Sequence, residues 1–260
     1  MPRCLVTTVH HSRHVPDDVL AAMAFDGDAD SWLDQLFAES DPYTDAIFDV
    51  PGQTHVRAEV SRFVCDLNRH RDDRERNGVV KRTDFASRPF YADEHAITEA
   101  DIADRLRRFY DPFEAAADAA LSEVDFFIDG HAMTALGPAM SSDPGKPRPP
   151  LAVIIGGGTY DRLDHTSLPP DVARDVAEIV RDCFGVDRVP INDPFDYGDL
   201  QNRLSDPSRP NRRPGFLLEI NQNLYLDSAG RPLRDRIQTL RGCVADLVER
   251  VAPLMEHAHD

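Results

Sequence analysis

Long hydrophobic runs are missing from these 260 residues. No stretch of about 18 apolar residues occurs, which excludes a helix that spans a bilayer. The N-terminal "MPRCLVTTVHH" has too short an apolar run, and no small-residue cleavage site, to read as a signal peptide. The expectation is therefore a soluble, cytoplasmic protein. Cysteine is scarce and scattered: Cys4, Cys65, Cys183 and Cys243 lie far apart in apolar segments with no CxxC spacing. That pattern suits reduced packing residues and argues against a zinc knuckle or a disulfide frame. Lysine is nearly absent, with only Lys81 and Lys146, and the net charge is −17. Such a surface repels phosphate backbones and anionic lipid, so neither nucleic acid nor membrane is an expected partner. The bias to aspartate and arginine also looks like the composition of a salt-adapted organism with a GC-rich genome. Nucleotide and serine-hydrolase signatures are missing as well. "IIGGG" (154–158) fits no G-x-G-x-x-G register, Gly145-Lys146 lacks the rest of a P-loop, and there is no G-x-S-x-G.

What is present can bury one large core, since 41% of the residues are hydrophobic, and we read a single domain over 1–260 with no internal repeat. Short apolar runs alternate with helical patterns, the mark of an α/β layer fold. The runs predict strands at 4–9, 55–67, 124–129, 151–157, 188–192 and 216–221. Helical spacing predicts helices over 29–38, 98–123, 169–184 and 233–258, with Pro112 expected to end or kink the second. Two proline-rich loops, 137–150 and 199–214, are long enough to belong to a binding site.

Polar residues gather where strands stop. "HHSRHVP" follows the first strand, "DLNRHRDD" the second and "DGHAM" the third, while Glu219 sits among Leu217, Leu218 and Ile220. In an α/β sheet such strand ends converge on one crevice. Two histidines and an acid from separate strand ends, with a position left open, make up a catalytic zinc site, and a nearby glutamate can move the proton of a water there. His10 and His14 read as bystanders, one flanking the site and one facing solvent. His55, His70, His95, His165, His257 and His259 form no constellation.

Five blocks in order, "VHHSRHVP", "RAEVSRFVCDLNRHRDD", "FFIDGHAM", "NDPFDYGDL" and "FLLEINQNLYLD", span residues 9 to 227. Together the set resembles the N-formylglutamate amidohydrolase family, whose pattern runs PH(S/A)G, an acidic stretch, SRFxxDLNRxxD, D-x-HS, N-x-PF-x-GG and a strand glutamate followed by tyrosine. The resemblance implies a three-layer α/β/α sandwich with a mixed central sheet, phosphorylase/hydrolase-like and similar to zinc carboxypeptidases. It implies a metal-dependent amidase, using Zn2+ or another divalent metal on a small anionic N-acyl amino acid, as in the release of formate from N-formyl-L-glutamate during histidine degradation. Carried across block by block, it implies His11, Asp41 and His131 as metal ligands, with Asp45 in reserve for Asp41. Glu219 becomes the general base. Arg69, with Asn68 beside it, becomes the holder of the substrate carboxylate, for which a planar guanidinium is well shaped. On this reading Gly130 lets the backbone turn closely by the metal, and Asp129 either orients an imidazole or caps the strand.

Departures from the family pattern fall around the substrate pocket. His10-His11-Ser12-Arg13 replaces PH(S/A)G and sets the bulky Arg13 at the mouth. Tyr197-Gly198 replaces the double glycine, and loop 199–214 brings Arg203, Arg209, Arg212 and Arg213. Arg13 and Tyr197 are thus expected to touch substrate, and the extra arginines fit a dianion such as N-formylglutamate or another N-acyl amino acid. A carboxypeptidase-like peptidase is the enzyme alternative, although its H-x-x-E spacing is absent. A small-molecule-binding protein that kept the fold without the chemistry is the other.

Overall fold

A computed structural model of the chain describes residues 2–25, 27–93, 97–157, 165–256 and 258. His95, His257 and His259 lie outside the described residues. Among the described residues five strands form one sheet: β1 (Cys4–Thr8), β2 (Thr54–Arg57), β3 (Phe126–Met133), β4 (Leu151–Ile154) and β5 (Gly215–Asn221). Their order is β2-β1-β3-β5-β4, all parallel except β4, which runs antiparallel to β5. Every residue of β1, β3, β4 and β5 is buried. A strand covered on both faces reads as a continuous apolar run rather than an alternation, which is why these four stand out in the sequence.

Among the described residues eight α-helices flank the sheet: α1 (Asp17–Ala22), α2 (Ala29–Ala38), α3 (Thr44–Ile47), α4 (Glu99–Arg105), α5 (Asp111–Leu121), α6 (Pro170–Phe184), α7 (Asp199–Ser205) and α8 (Arg234–Glu256). On one face Cys4, Val6, Phe126, Ile128, Phe216, Leu218 and Ile220 share a core with α3, α6 and α8. On the other, Leu5, Val9 and Phe127 share a second core with α1, α2, α4, α5 and α7. The odd-numbered positions of β3 and β5 face this second side, and the site described below opens on it. No helix of the described residues is long and apolar enough to cross a membrane.

Three sequence expectations change. The run 55–67 pairs with the sheet only over Thr54–Arg57. From Ala58 the chain leaves the sheet in turns held by Ser61, whose N–H donates to the His14 carbonyl and whose own carbonyl receives Val64, while Phe63, Val64, Cys65 and Leu67 pack into the second core. Segment 188–192 makes a single bridge, Val153 to Ile191, in place of a strand. Pro112 does not break its helix. A π-helical stretch, Leu106–Tyr110, precedes it, and the proline stands in the first turn of α5, where the missing N–H is tolerated.

Candidate active site

The strand register brings the chemistry together. Thr7 of β1, Asp129 of β3 and Leu217 of β5 are lateral neighbours, and His131 and Glu219 pair one step further along the same face. Paired residues on adjacent parallel strands lie about 5 Å apart with their side chains on one side. His131 is thus presented from within β3, which continues to Met133, rather than from a strand end. Gly130 is there for packing and not for a turn: a Cβ at this position would come within 2.6 Å of the Phe48 ring. Thr7 Oγ1 donates to Asp129 Oδ1 at 2.6 Å, and the other oxygen of Asp129 lies 3.1 Å from His131 Nε2. Asp129 therefore orients the imidazole, as second-layer carboxylates of metal-binding histidines do.

Three buried groups converge on one point. His10, Asp41 and His131 offer donor atoms that all lie within 4.8 Å of one another. Asp41 arrives on the loop after α2, where its N–H donates to the His10 carbonyl and its Oδ2 accepts from the Ala132 N–H at 3.2 Å. The same oxygen lies 2.9 Å from His131 Nδ1 and 3.4 Å from His10 Nδ1. His10 Nε2 faces away, 2.7 Å from Asp66 Oδ1. The two histidines are thus built alike, each with Nε2 against a buried aspartate and Nδ1 toward Asp41.

The sequence reading named His11 for this place, and the structure brings His10 instead. His11 is half-buried with Nδ1 turned back 3.2 Å from the Thr8 carbonyl, and burial lowers its pKa, opposed most by the charge of Asp45. Asp45 itself stays outside the cluster. His14 is exposed, as expected.

Electrostatics follow from burial and charge. Burial alone would raise the Asp41 carboxyl, yet His10 and His131 hold it well below the ordinary carboxylate range. Burial opposes charge on His131, but the aspartates at its two nitrogens outweigh this and raise its pKa well above the usual value. Asp66 is fully buried and still held low, because Arg62 (3.0 Å) and Lys81 (2.8 Å) bind its other oxygen while His10 binds the first. Glu219 differs. Burial pushes its carboxyl up to about 7, partly offset by His131 and reinforced by Asp41, and its Oε2 is buried with no hydrogen-bond partner.

These residues border a cavity of about 920 Å³ walled by the loop 138–142, by Arg69 and by Phe195 and Tyr197. Loop 137–150 is a wall of the site, as its length suggested. Arg69 lines the cavity, and its Nε is buried and partnerless. Asn68 also reaches the wall, but its Oδ1 accepts from the Leu200 N–H at 2.9 Å and so caps the start of α7. Tyr197 lines the cavity and donates to Asp199 Oδ1 at 2.9 Å. Arg13 does not reach the cavity, because Asp34 (2.7 Å) and Asp30 (3.2 Å) hold it over α2. Nor do the arginines of segment 199–214, which was expected as a loop but begins with α7. Arg203 ties Asp199 to Glu114 and donates to the Leu67 carbonyl, Arg209 pairs with Glu114 and Asp118, Arg213 donates to the Val124 carbonyl, and Arg212 is exposed.

Residues that sequence reasoning missed are His10 as a ligand candidate, Asp66 and Lys81 behind it, Arg62 beside Asp41, and Arg148 in the wall. Asp66 and Arg62 both lie in the quoted "SRFVCDLNR" block, so a signal existed for them. Lys81 is one of two lysines and is fully buried, a burial that only the folded chain reveals.

The structure is similar to that of an N-formylglutamate amidohydrolase from Ralstonia eutropha JMP134, with a TM-score of 0.72, 24% identity and coverage of 97% of this chain and 94% of that one. It is also similar to a gene product of Agrobacterium tumefaciens, with a TM-score of 0.61, 17% identity and coverage of 98% and 89%. At such identities the likeness is one of fold. Among functionally curated proteins, none matches the sequence. The sequence profile of N-formylglutamate amidohydrolases, by contrast, matches residues 3–226. With that match over most of its length, the chain belongs to the N-formylglutamate amidohydrolase family, a family of hydrolases.

Proposed function

We propose that the protein is a metal-dependent amidohydrolase that cleaves the C–N bond of an N-formyl or other N-acyl amino acid, releasing formate or the corresponding acid and the free amino acid. Zinc or another divalent metal would be held by His10, Asp41 and His131, in a cytoplasmic enzyme on a zinc-carboxypeptidase-like fold. The observation that carries this reading is the pairing of an orphaned donor with an orphaned base. His10 Nδ1 is buried and faces Asp41 Oδ2 at 3.4 Å without a hydrogen bond to it, inside the three-residue cluster, and Glu219 Oε2 is buried without a hydrogen-bond partner in the same cavity. Leaving such atoms unpaired costs about 1–3 kcal/mol each, so a cation beside the one and a water beside the other are what the donor set fits. Two imidazoles and one carboxylate, each histidine backed by a further carboxylate, is also the donor chemistry of a catalytic zinc site.

A divalent cation in this cluster supplies Lewis acidity toward the acyl oxygen and makes water more acidic. The chain's own groups do the rest. Glu219 Oε2 takes the proton of the attacking water and delivers it to the departing amine nitrogen, and a carboxyl held near neutrality by burial is suited to both transfers. Arg69 binds the substrate α-carboxylate through its free guanidinium. Asp66 and Asp129 keep the two imidazoles in place.

The test is elemental analysis of the purified protein, followed by an amine-release assay over N-formyl and N-acetyl amino acids. Bound zinc with release of free amino acid is expected. A protein with neither metal nor release would be a binding protein on this fold.

A further inference from the structure

Three guanidiniums border the cavity, and their partners decide what charge a substrate can carry. Arg62 lies 3.0 Å from Asp66 and faces Asp41 at 3.7 Å. Arg148 is closed in a two-point pair with Asp143, Nε to Oδ2 and Nη2 to Oδ1, both at 2.8 Å. Its Nη1 donates to Thr134 Oγ1, and only 4% of its side chain is exposed. Arg69 alone among the described arginines of the wall has no carboxylate partner. Against these three guanidiniums the wall sets seven carboxylic side chains, with Asp73 and Glu75 among them. One substrate carboxylate is matched, at Arg69. A second would enter a half-enclosed, acid-rich space with no further unpaired arginine and no lysine among the described residues of its wall to meet it, and an unpaired charge in such surroundings is costly.

The face of the sheet next to Glu219 is apolar instead. Leu217 lies two residues before Glu219 in β5 and Met133 two residues after His131 in β3, so both point to the same side, and Phe195 packs against them. All three line the cavity, and Phe195 also lies 4.8 Å beneath the Arg148 guanidinium. At about 920 Å³ the cavity stands near the upper end for small-molecule pockets, so a side chain longer than that of glutamate has room.

We propose that the amino-acid half of the substrate carries a single carboxylate, taken by Arg69, and an apolar side chain seated on Met133, Leu217 and Phe195, so that N-formylglutamate is a poor substrate. This rests on the amidohydrolase reading above. Steady-state kcat/KM of the zinc-loaded enzyme for N-formyl-leucine and N-formyl-phenylalanine is expected to exceed that for N-formylglutamate by about tenfold or more. Calorimetric binding of the same compounds to Glu219→Gln protein is expected to follow the same order. Asp143→Asn unties Arg148 and so adds an available cation to the wall. It is expected to move the ratio toward N-formylglutamate by about tenfold. Equal or better turnover of N-formylglutamate by the wild type overturns the inference, as does an unchanged ratio in a folded Asp143→Asn variant. If that variant does not fold, the wild-type ratio decides. Absence of release from every compound sinks the amidohydrolase reading instead, and the calorimetric order then still decides whether the cavity selects a monoanion.

Discussion

Replacing Glu219 by glutamine should stabilise the metal-free protein while abolishing its turnover. Glu219 is 7% exposed, and its Oε2 has no partner. Burial raises its carboxyl from 4.5 to about 7. A carboxyl whose folded pKa lies above its unfolded value opposes folding wherever the pH keeps it ionised, and the penalty fades between the two values. The difference of about 2.5 units, at about 1.4 kcal/mol each, gives a penalty of about 3 kcal/mol above pH 7. It falls to under about 1 kcal/mol at pH 5. Glutamine removes the charge but leaves an amide to be satisfied, so 3 kcal/mol is roughly the upper value. For a domain of this size each kcal/mol moves the melting temperature by about 2–4 °C, so a rise of roughly 6 °C is expected at pH 8.

The assay is thermal unfolding followed by circular dichroism on chelator-treated wild type and Glu219→Gln at pH 8 and pH 5. A large gap at pH 8 that narrows at pH 5 is the signature of a buried ionised group. A variant that melts below the wild type at pH 8, or a gap independent of pH, would refute the reasoning. In the metal-loaded protein the same substitution should leave metal content intact and remove amine release. The wild-type kcat/KM should decline as the pH falls through the Glu219 pKa. A bound cation shifts that limb below 7, because a neighbouring positive charge favours the carboxylate.

Three further outcomes are expected. His10→Ala should lose metal in elemental analysis while His11→Ala retains it, since only His10 Nδ1 is aimed at Asp41 and His131; the reverse result would return the first ligand to His11. Arg69→Ala should raise KM by about 10–100-fold with a smaller change in kcat, as expected for loss of a charge-assisted contact to a non-reacting carboxylate; an unchanged KM removes Arg69 from that role. With a net charge of −17, the melting temperature should rise as KCl is added, through screening of self-repulsion, and a fall would count against salt adaptation.

Sequence alone settled what depends on local pattern. Apolar runs marked β1, β3, β4 and β5 because these strands are buried on both faces, and helical spacing marked α2, α6 and α8 for a similar reason. The ordered blocks named the family, and His131, Glu219 and Arg69 were legible as candidates because each stands in such a block, whereas Asp41 came from the acidic stretch between the first two blocks with Asp45 as its rival. The tertiary structure decided matters of direction and pairing. Two adjacent histidines are indistinguishable in a sequence, and which one faces Asp41 depends on how the chain turns after Thr8. Likewise, an arginine in a sequence carries a free charge until its partners are known. Arg13, Arg203, Arg209 and Arg213 looked available for substrate, but each is held elsewhere, by acids from other segments or by the backbone, whereas Arg69 is left without a partner at the cavity wall. Charge neutralisation is a property of distances across the fold, and spacing along the chain does not contain it.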